Sequence, residues 1–133
     1  MILVDSCVWI DWLRDRQTSA VSYLQELRRS HRAEVCISGI IYFEVLRGIA
    51  SDTERCRVRR FLDLLERRDY LATGFEQLVE HAVAAEHRGL HLKKLGDWLI
   101  LKTVLDHTLT LLTSDRDFHR LRKLIPIPVE PVR

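Results

Sequence analysis

The sequence predicts an α/β fold with a mainly parallel central sheet, and three observations carry that reading. Residues 1–4, 34–37 and 108–112 are short runs rich in apolar residues, as expected of strands buried on both faces. Each stops at a small polar pair: Asp5-Ser6, Ser38-Gly39 and Thr113-Ser114. Between the runs, apolar residues recur at helical spacing. Short strands alternating with helices make a parallel sheet covered by its own crossovers.

Taken in order, the first strand leads to Ser6, a candidate N-cap for a short helix carrying Val8, Trp9, Trp12 and Leu13. Thr18 or Ser19 caps the next helix, in which Val21, Leu24 and Leu27 repeat up to about residue 30. After the second strand, residues 40–49 form a helix that is apolar almost all round and is expected to be central. Asp52 or Thr53 opens another, with Val58, Phe61, Leu62 and Leu65 inward and Arg55, Arg59, Arg60 and Arg67 mostly outward. Residues 70–72 read as a weak strand. A helix from Phe75 follows, carrying Leu78, Val79, Ala82 and Val83 and ending near Gly89. The next helix runs through Asp97. Beyond the late strand, Phe118, Leu121 and Ile125 mark the inner face of a short helix, and Val129, between Pro128 and Glu130, suits an edge strand.

A length of 133 residues suits one domain, 1–133, without internal repeats or linkers. Hydrophobic residues make up 47% and charged residues 30%, the balance of an ordinary globular protein. No apolar run approaches the ~20 residues a membrane span requires, and the opening residues lack the layout of a signal peptide. Cys7, Cys36 and Cys56 show no C-x-x-C spacing, so small reduced core residues and a cytoplasmic location are expected. The net charge of +2 is too small to imply nucleic-acid binding by itself.

Four carboxylates nevertheless stand where an α/β crevice forms, beyond the carboxyl ends of the strands. Asp5 ends the first strand and Asp115 follows the late one. Glu44 lies in the apolar helix after the second strand. Asp97 interrupts a stripe formed by Ile100, Leu101, Val104 and Leu105, with no basic residue apparent one turn away on that face. Each has an ordinary explanation. Asp5 suits a turn, Asp97 a helix opening, and Asp115 with Asp117 a first turn favoured by the helix dipole; Glu44 can pair with Arg47. Together, four converging carboxylates would repel one another unless a cation, raised pKa values or separation relieved them. Hard oxygen donors without a His/Cys set favour Mg²⁺ or Mn²⁺ over zinc, and such ions support hydrolysis of phosphodiesters. Of the 19 acids, setting these four aside leaves 15 against 21 basic residues, so an acidic pit on a basic surface is conceivable.

No phosphate-binding glycine loop, G-x-S-x-G or H-E-x-x-H occurs. His87 and His91 have metal-like spacing, but Gly89 between them argues for surface histidines. Trp9 and Trp12 read as core or interface, and the arginines at 55–60 as a solvated face. Ser6, Thr113 and Ser114 adjoin the acids and suit either capping or ligand orientation.

Met-Ile-Leu-Val-Asp5-Ser6, Glu44 in a helix after a strand, Gly96-Asp97 and Leu-Leu-Thr113-Ser-Asp115-Arg-Asp117-Phe118 together resemble the PIN domain, more narrowly a VapC-type toxin. The resemblance covers essentially the whole chain and implies a three-layer fold with about four to five short strands. It implies a Mg²⁺- or Mn²⁺-dependent ribonuclease acting on structured RNA of the tRNA or rRNA class. A homodimer and a cognate VapB-type antitoxin placing a peptide over the acidic site are implied as well. By position, Asp5, Glu44, Asp97 and Asp115 are the acidic quartet, with Asp117 an additional or substitute ligand. The rival reading is a non-catalytic RNA- or protein-binding module whose acidic cleft receives a basic partner segment. A phosphoacceptor domain fits less well, since it needs adjacent acids after its first strand and a lysine after a late one.

Overall fold

The computed structural model describes residues 1–132. Its five strands are β1 (Ile2–Val4), β2 (Val35–Ile37), β3 (Glu66–Arg67), β4 (Thr110–Leu112) and β5 (Val129–Glu130). Seven helices are α1 (Ser6–Leu13), α2 (Ser19–Ser30), α3 (Gly39–Arg47), α4 (Asp52–Leu62), α5 (Phe75–His87), α6 (Leu95–His107) and α7 (Arg116–Leu121). All neighbouring strands pair in parallel, in the order β3-β2-β1-β4-β5.

β1 is the middle of the sheet because Ile2, Leu3 and Val4 are all buried and leave no face for water. Leu3 lies opposite Cys36 on one side and Leu111 on the other. The chain builds outward from β1 through β2 to β3, then returns to place β4 and β5 on the opposite side. Strand order therefore reverses at β1, and the crevice expected of such a sheet opens beyond the carboxyl ends of β1 and β4. The buried cluster runs from Ile2 to Val129, with Trp9 and Phe118 its largest fully buried side chains.

The helix caps show how local chemistry sets the boundaries. Thr18 accepts from Val21 N–H, Ser38 from Ile41 N–H and Ser51 from Glu54 N–H, each satisfying a free first-turn donor. Trp9 and Trp12 form an edge-on pair 5.7 Å apart and both lie against Phe61, so they are packing residues.

Several expectations are corrected. Ser6 is the first residue of α1, and its cap is Asp5. Residues 70–72 form no strand; β3 lies four residues earlier, where Cys36 and Ile37 offer an open edge. The α3 helix is not enclosed all round, since Phe43 is 61% exposed. On α5, whose inward face the sequence left unassigned, Val79 and Val83 face outward and Ala85 is the buried residue. Cys36 is buried, but Cys7 and Cys56 are only partly so. The late strand begins two residues later than expected, at Thr110, because Thr108 adopts a left-handed conformation that ends α6.

Candidate active site

Asp5 occupies the switch point. Its backbone N–H continues the sheet by donating to Leu112 C=O at 2.9 Å. Its side chain, in a residue only 4% exposed, accepts from Ser6 N–H at 2.7 Å and from the Thr113 hydroxyl, also at 2.7 Å. The Cys7 thiol lies 3.6 Å from the same oxygen, Oδ2, that Thr113 holds. These hydrogen bonds favour the anion, yet burial outweighs them and raises the Asp5 pKa, with the Asp115 charge adding to the effect.

Thr113 ties the two strand ends together. Its single hydroxyl proton goes to Asp5, and its oxygen accepts from Asp115 N–H at 3.0 Å. Asp115 in turn caps α7 through Asp117 N–H at 2.9 Å. The buried His119 ring makes a 2.9 Å contact from Nε2 to Thr113 C=O. The start of α7 is thereby registered against Asp5 by hydrogen bonds.

Glu44 comes from α3, where Ser38 sets the helix start. The expected Arg47 pairing is absent among the described residues, and the Arg47 guanidinium lies over the Phe43 ring instead. Glu44 Oε1 is buried without a hydrogen bond. Burial raises the Glu44 pKa first and Asp5 second, against opposing effects of Lys94, the Ser6 hydroxyl and Arg47.

Asp97 stands in the first turn of α6, half-buried, but caps nothing: that helix has no side-chain cap hydrogen bond. Its pKa is pushed up to about 6, first by burial and then by Asp5, Asp115 and Glu44 in that order; Lys94 pulls the other way. The expectation of no basic residue one turn away is therefore corrected. Lys94, three residues before Asp97, moderates both Glu44 and Asp97.

The structure thus brings Asp5, Glu44, Asp97 and Asp115 into one electrostatic group from four segments. Asp117 lines an adjacent hollow with Gly89, His91 and Arg120 instead. Sequence reasoning missed Cys7 and Lys94 as neighbours of this group. Cys7's position two residues after the strand-end acid was the available signal, and burial holds its thiol up to about 11, so it is neutral. Four mutually repelling carboxylates, an orphaned buried oxygen and a single nearby lysine suit a hard divalent cation in donor chemistry and charge. The carboxylates do not yet close on a common point: among the described residues, no three Asp, Glu, His or Cys side chains stand as a ready metal-ligand set.

A doubly wound parallel sheet with an acidic cluster at its switch point defines an α/β protein with a polyanionic crevice. The PIN domain family model matches residues 2–124, and the chain belongs to that family. No match was found among curated proteins. Among solved structures, the fold is similar to a chain in VapBC2 from Rickettsia felis bound to a promoter DNA fragment, with 20% identity, TM-score 0.75 and 98% of both chains covered. It is also similar to a chain in a toxin–antitoxin complex from Klebsiella pneumoniae, with 24% identity, TM-score 0.66 and 98% of this chain and 97% of that one covered. FitAcB from Neisseria gonorrhoeae gives 20% identity, TM-score 0.67 and coverage of 97% and 96%.

Proposed function

We propose that this chain, acting as one domain, is a divalent-metal-dependent endoribonuclease and the VapC-type toxin of a toxin–antitoxin pair. The observation that carries the reading is the convergence of Asp5, Glu44, Asp97 and Asp115 at one sheet edge, where each of the three shifted acids is raised by burial and by another acid. A fold puts repelling carboxylates together at a cost, and ligation of a cation offsets it. Membership of the PIN family and the likeness to solved toxin–antitoxin proteins support the same role.

Asp5, Glu44, Asp97 and Asp115 would hold Mg²⁺ or Mn²⁺; Asp115 is favoured over Asp117 because its charge acts on both Asp5 and Asp97. When bound, such an ion lowers the pKa of a coordinated water and neutralises phosphate charge. Ser6 N–H and Thr113 Oγ1 hold the Asp5 carboxylate in a fixed orientation. The Thr113 hydroxyl oxygen also fixes the backbone of Asp115. Attack of water on phosphorus would release the 3′ oxygen as a hydroxyl and leave a 5′-phosphate, with no side-chain nucleophile. The substrate is structured RNA of the tRNA or rRNA class.

The partner is a cognate VapB-type antitoxin with a basic segment over the acids. The chain itself pairs as a homodimer through the outward face of α5. No helix among the described residues is long and apolar enough to cross a membrane, and a cytoplasmic role is proposed.

The test is incubation with total RNA in Mn²⁺ or in EDTA. Cleavage that stops with EDTA and returns with Mn²⁺ is expected, and Asp5→Asn or Asp97→Asn should slow it at least about 100-fold, roughly 2.7 kcal/mol of barrier. Binding without turnover in any divalent ion would instead favour the non-catalytic module. Full cleavage by the double Asn variant would remove the acids from the chemistry.

A further inference from the structure

We propose that the outer face of α7 and the turn that follows it, carrying Arg116, Arg120 and Lys123, is the track that grips phosphates of the RNA strand beside the acidic crevice. The inference rests on the ribonuclease reading and specifies how the substrate is held.

Three observations carry it. Phe118, His119 and Leu121 are buried, whereas Arg116 and Arg120 on α7 and Lys123 in the turn just after it are exposed and, at near-helical spacing, share the outer side. There Arg116, His119, Arg120, Arg122 and Lys123 line a hollow of about 290 Å³ without a single acid. Arg120 also borders the neighbouring hollow with His91 and Lys93, of about 160 Å³, so positive charge continues across two concavities; Asp117 is the one acid there.

The second observation is pairing. On α4, Arg55 and Arg57 are engaged by Asp52 and Glu54, and Arg29 on α2 by Glu26. The side chains of Arg116, Arg120 and Lys123 have no ion pair or hydrogen-bond partner among the described residues, and the Arg122 guanidinium donates only to Val129 C=O at 3.5 Å. Unpaired guanidinium and ammonium groups sharing a concave, acid-free surface repel each other and are relieved by a polyanion.

The third is registration. Asp115 opens α7, and His119 Nε2 rests on the carbonyl of Thr113, whose hydroxyl holds Asp5. The cationic face is therefore anchored to the acids by the same residues that orient them. A crevice of carboxylates repels a phosphodiester, so a track of cations next to it supplies the attraction that brings the strand to the site. An acidic protein segment would satisfy the charge but would gain nothing from this registration, which is why RNA is the favoured occupant.

The probe is a labelled RNA oligonucleotide bound to the full chain carrying Asp5→Asn, titrated across NaCl concentrations. Neutralising three phosphate contacts with Arg116→Gln, Arg120→Gln and Lys123→Gln should lower affinity about tenfold or more at low salt. It should also reduce the slope of log affinity against log salt by about 2, at roughly 0.7 per contact on a single strand. Arg57→Gln, Arg59→Gln and Arg60→Gln on α4 remove equal charge and should change the slope by much less. Should the triple variant unfold, Arg120→Gln and Lys123→Gln made singly should each lower the slope by about 0.7. An unchanged slope, an equal change in the α4 control, or polyglutamate displacing the RNA at equal charge concentration would overturn the proposal. The readout needs no turnover: cleavage by the unsubstituted chain with an unchanged slope defeats the track alone, and a lowered slope without cleavage defeats the nuclease reading alone.

Discussion

Asp97 keeps its proton up to about pH 6 because it is removed from water and faces three other carboxylates. The unfolded chain releases that proton near 3.8, so the folded form binds more protons across the interval between the two values. Stability from this group is present below the lower value and lost as pH rises to about 6. The melting temperature of the wild type minus that of Asp97→Asn, in metal-free buffer, should therefore fall between pH 4 and 6.5 and end negative. A difference that stays flat would mean Asp97 is not repelled. Mn²⁺ at neutral pH should raise the wild-type melting temperature, since a ligand bound only by the folded form stabilises it, while Asp97→Asn should respond far less. At this scale the sequence was informative where residues break a pattern: Asp5 at a strand end, Asp97 in an apolar stripe. Cys7 and Lys94 were harder to see because a small thiol and a lysine next to a helix start break no pattern at all. The choice between Asp115 and Asp117 depended on side-chain direction around a cap, which spacing does not specify.

At the scale of elements, α6 carries Asp97 at its start and a buried clasp further on. Lys102, with a side chain only 3% exposed, donates to Asp106 at 2.7 Å and to Leu71 C=O at 2.9 Å. Asp106 accepts from Leu71 N–H at 2.8 Å. The Lys102 ammonium also sits 4.8 Å from the Phe75 ring centre. This clasp explains why residues 70–72 are not a strand: Leu71 spends both backbone groups on α6, leaving none for a sheet ladder. A sequence window sees only their β-prone side chains, and the competing partners lie over thirty residues away. Lys102→Met would leave Asp106 without its cation and free Leu71 from α6. A loss of about 3 kcal/mol in denaturant unfolding is expected, toward the lower end for breaking a buried pair because Asp106 keeps some contact with solvent. Thr18→Ala, which removes the α2 cap, should cost about 1 kcal/mol by the same measurement. Elements with an apolar run and a polar stop were legible to within a residue or two, as β1, β2 and α2 show, whereas α4, read through Leu65 and Arg67, ends at Leu62 and hands Arg67 to β3.

Over the whole molecule, the strand order places acids at one switch point and leaves apolar surface on another side. Phe75, Val79 and Val83 recur every four residues along α5, and Val79 is 60% exposed, with Leu71 exposed nearby. Helical periodicity places these residues in one helix but does not assign the face, because an apolar stripe looks the same whether it meets its own chain or another. Three aligned apolar side chains in water favour association, and a two-fold pairing of α5 with a second copy would bury the stripe on both chains at once. A lysine at its centre would bring two like charges together in a symmetric interface and desolvate them. Val79→Lys should therefore shift the sedimentation coefficient from dimer to monomer at micromolar concentration, while far-UV circular dichroism stays unchanged because Val79 contributes little to the monomer's core. The acids lie elsewhere, so the Mn²⁺-induced rise in melting temperature should persist in the monomeric variant. A wild-type chain that sediments as a monomer at every accessible concentration would show that the stripe serves some surface other than a second copy of itself.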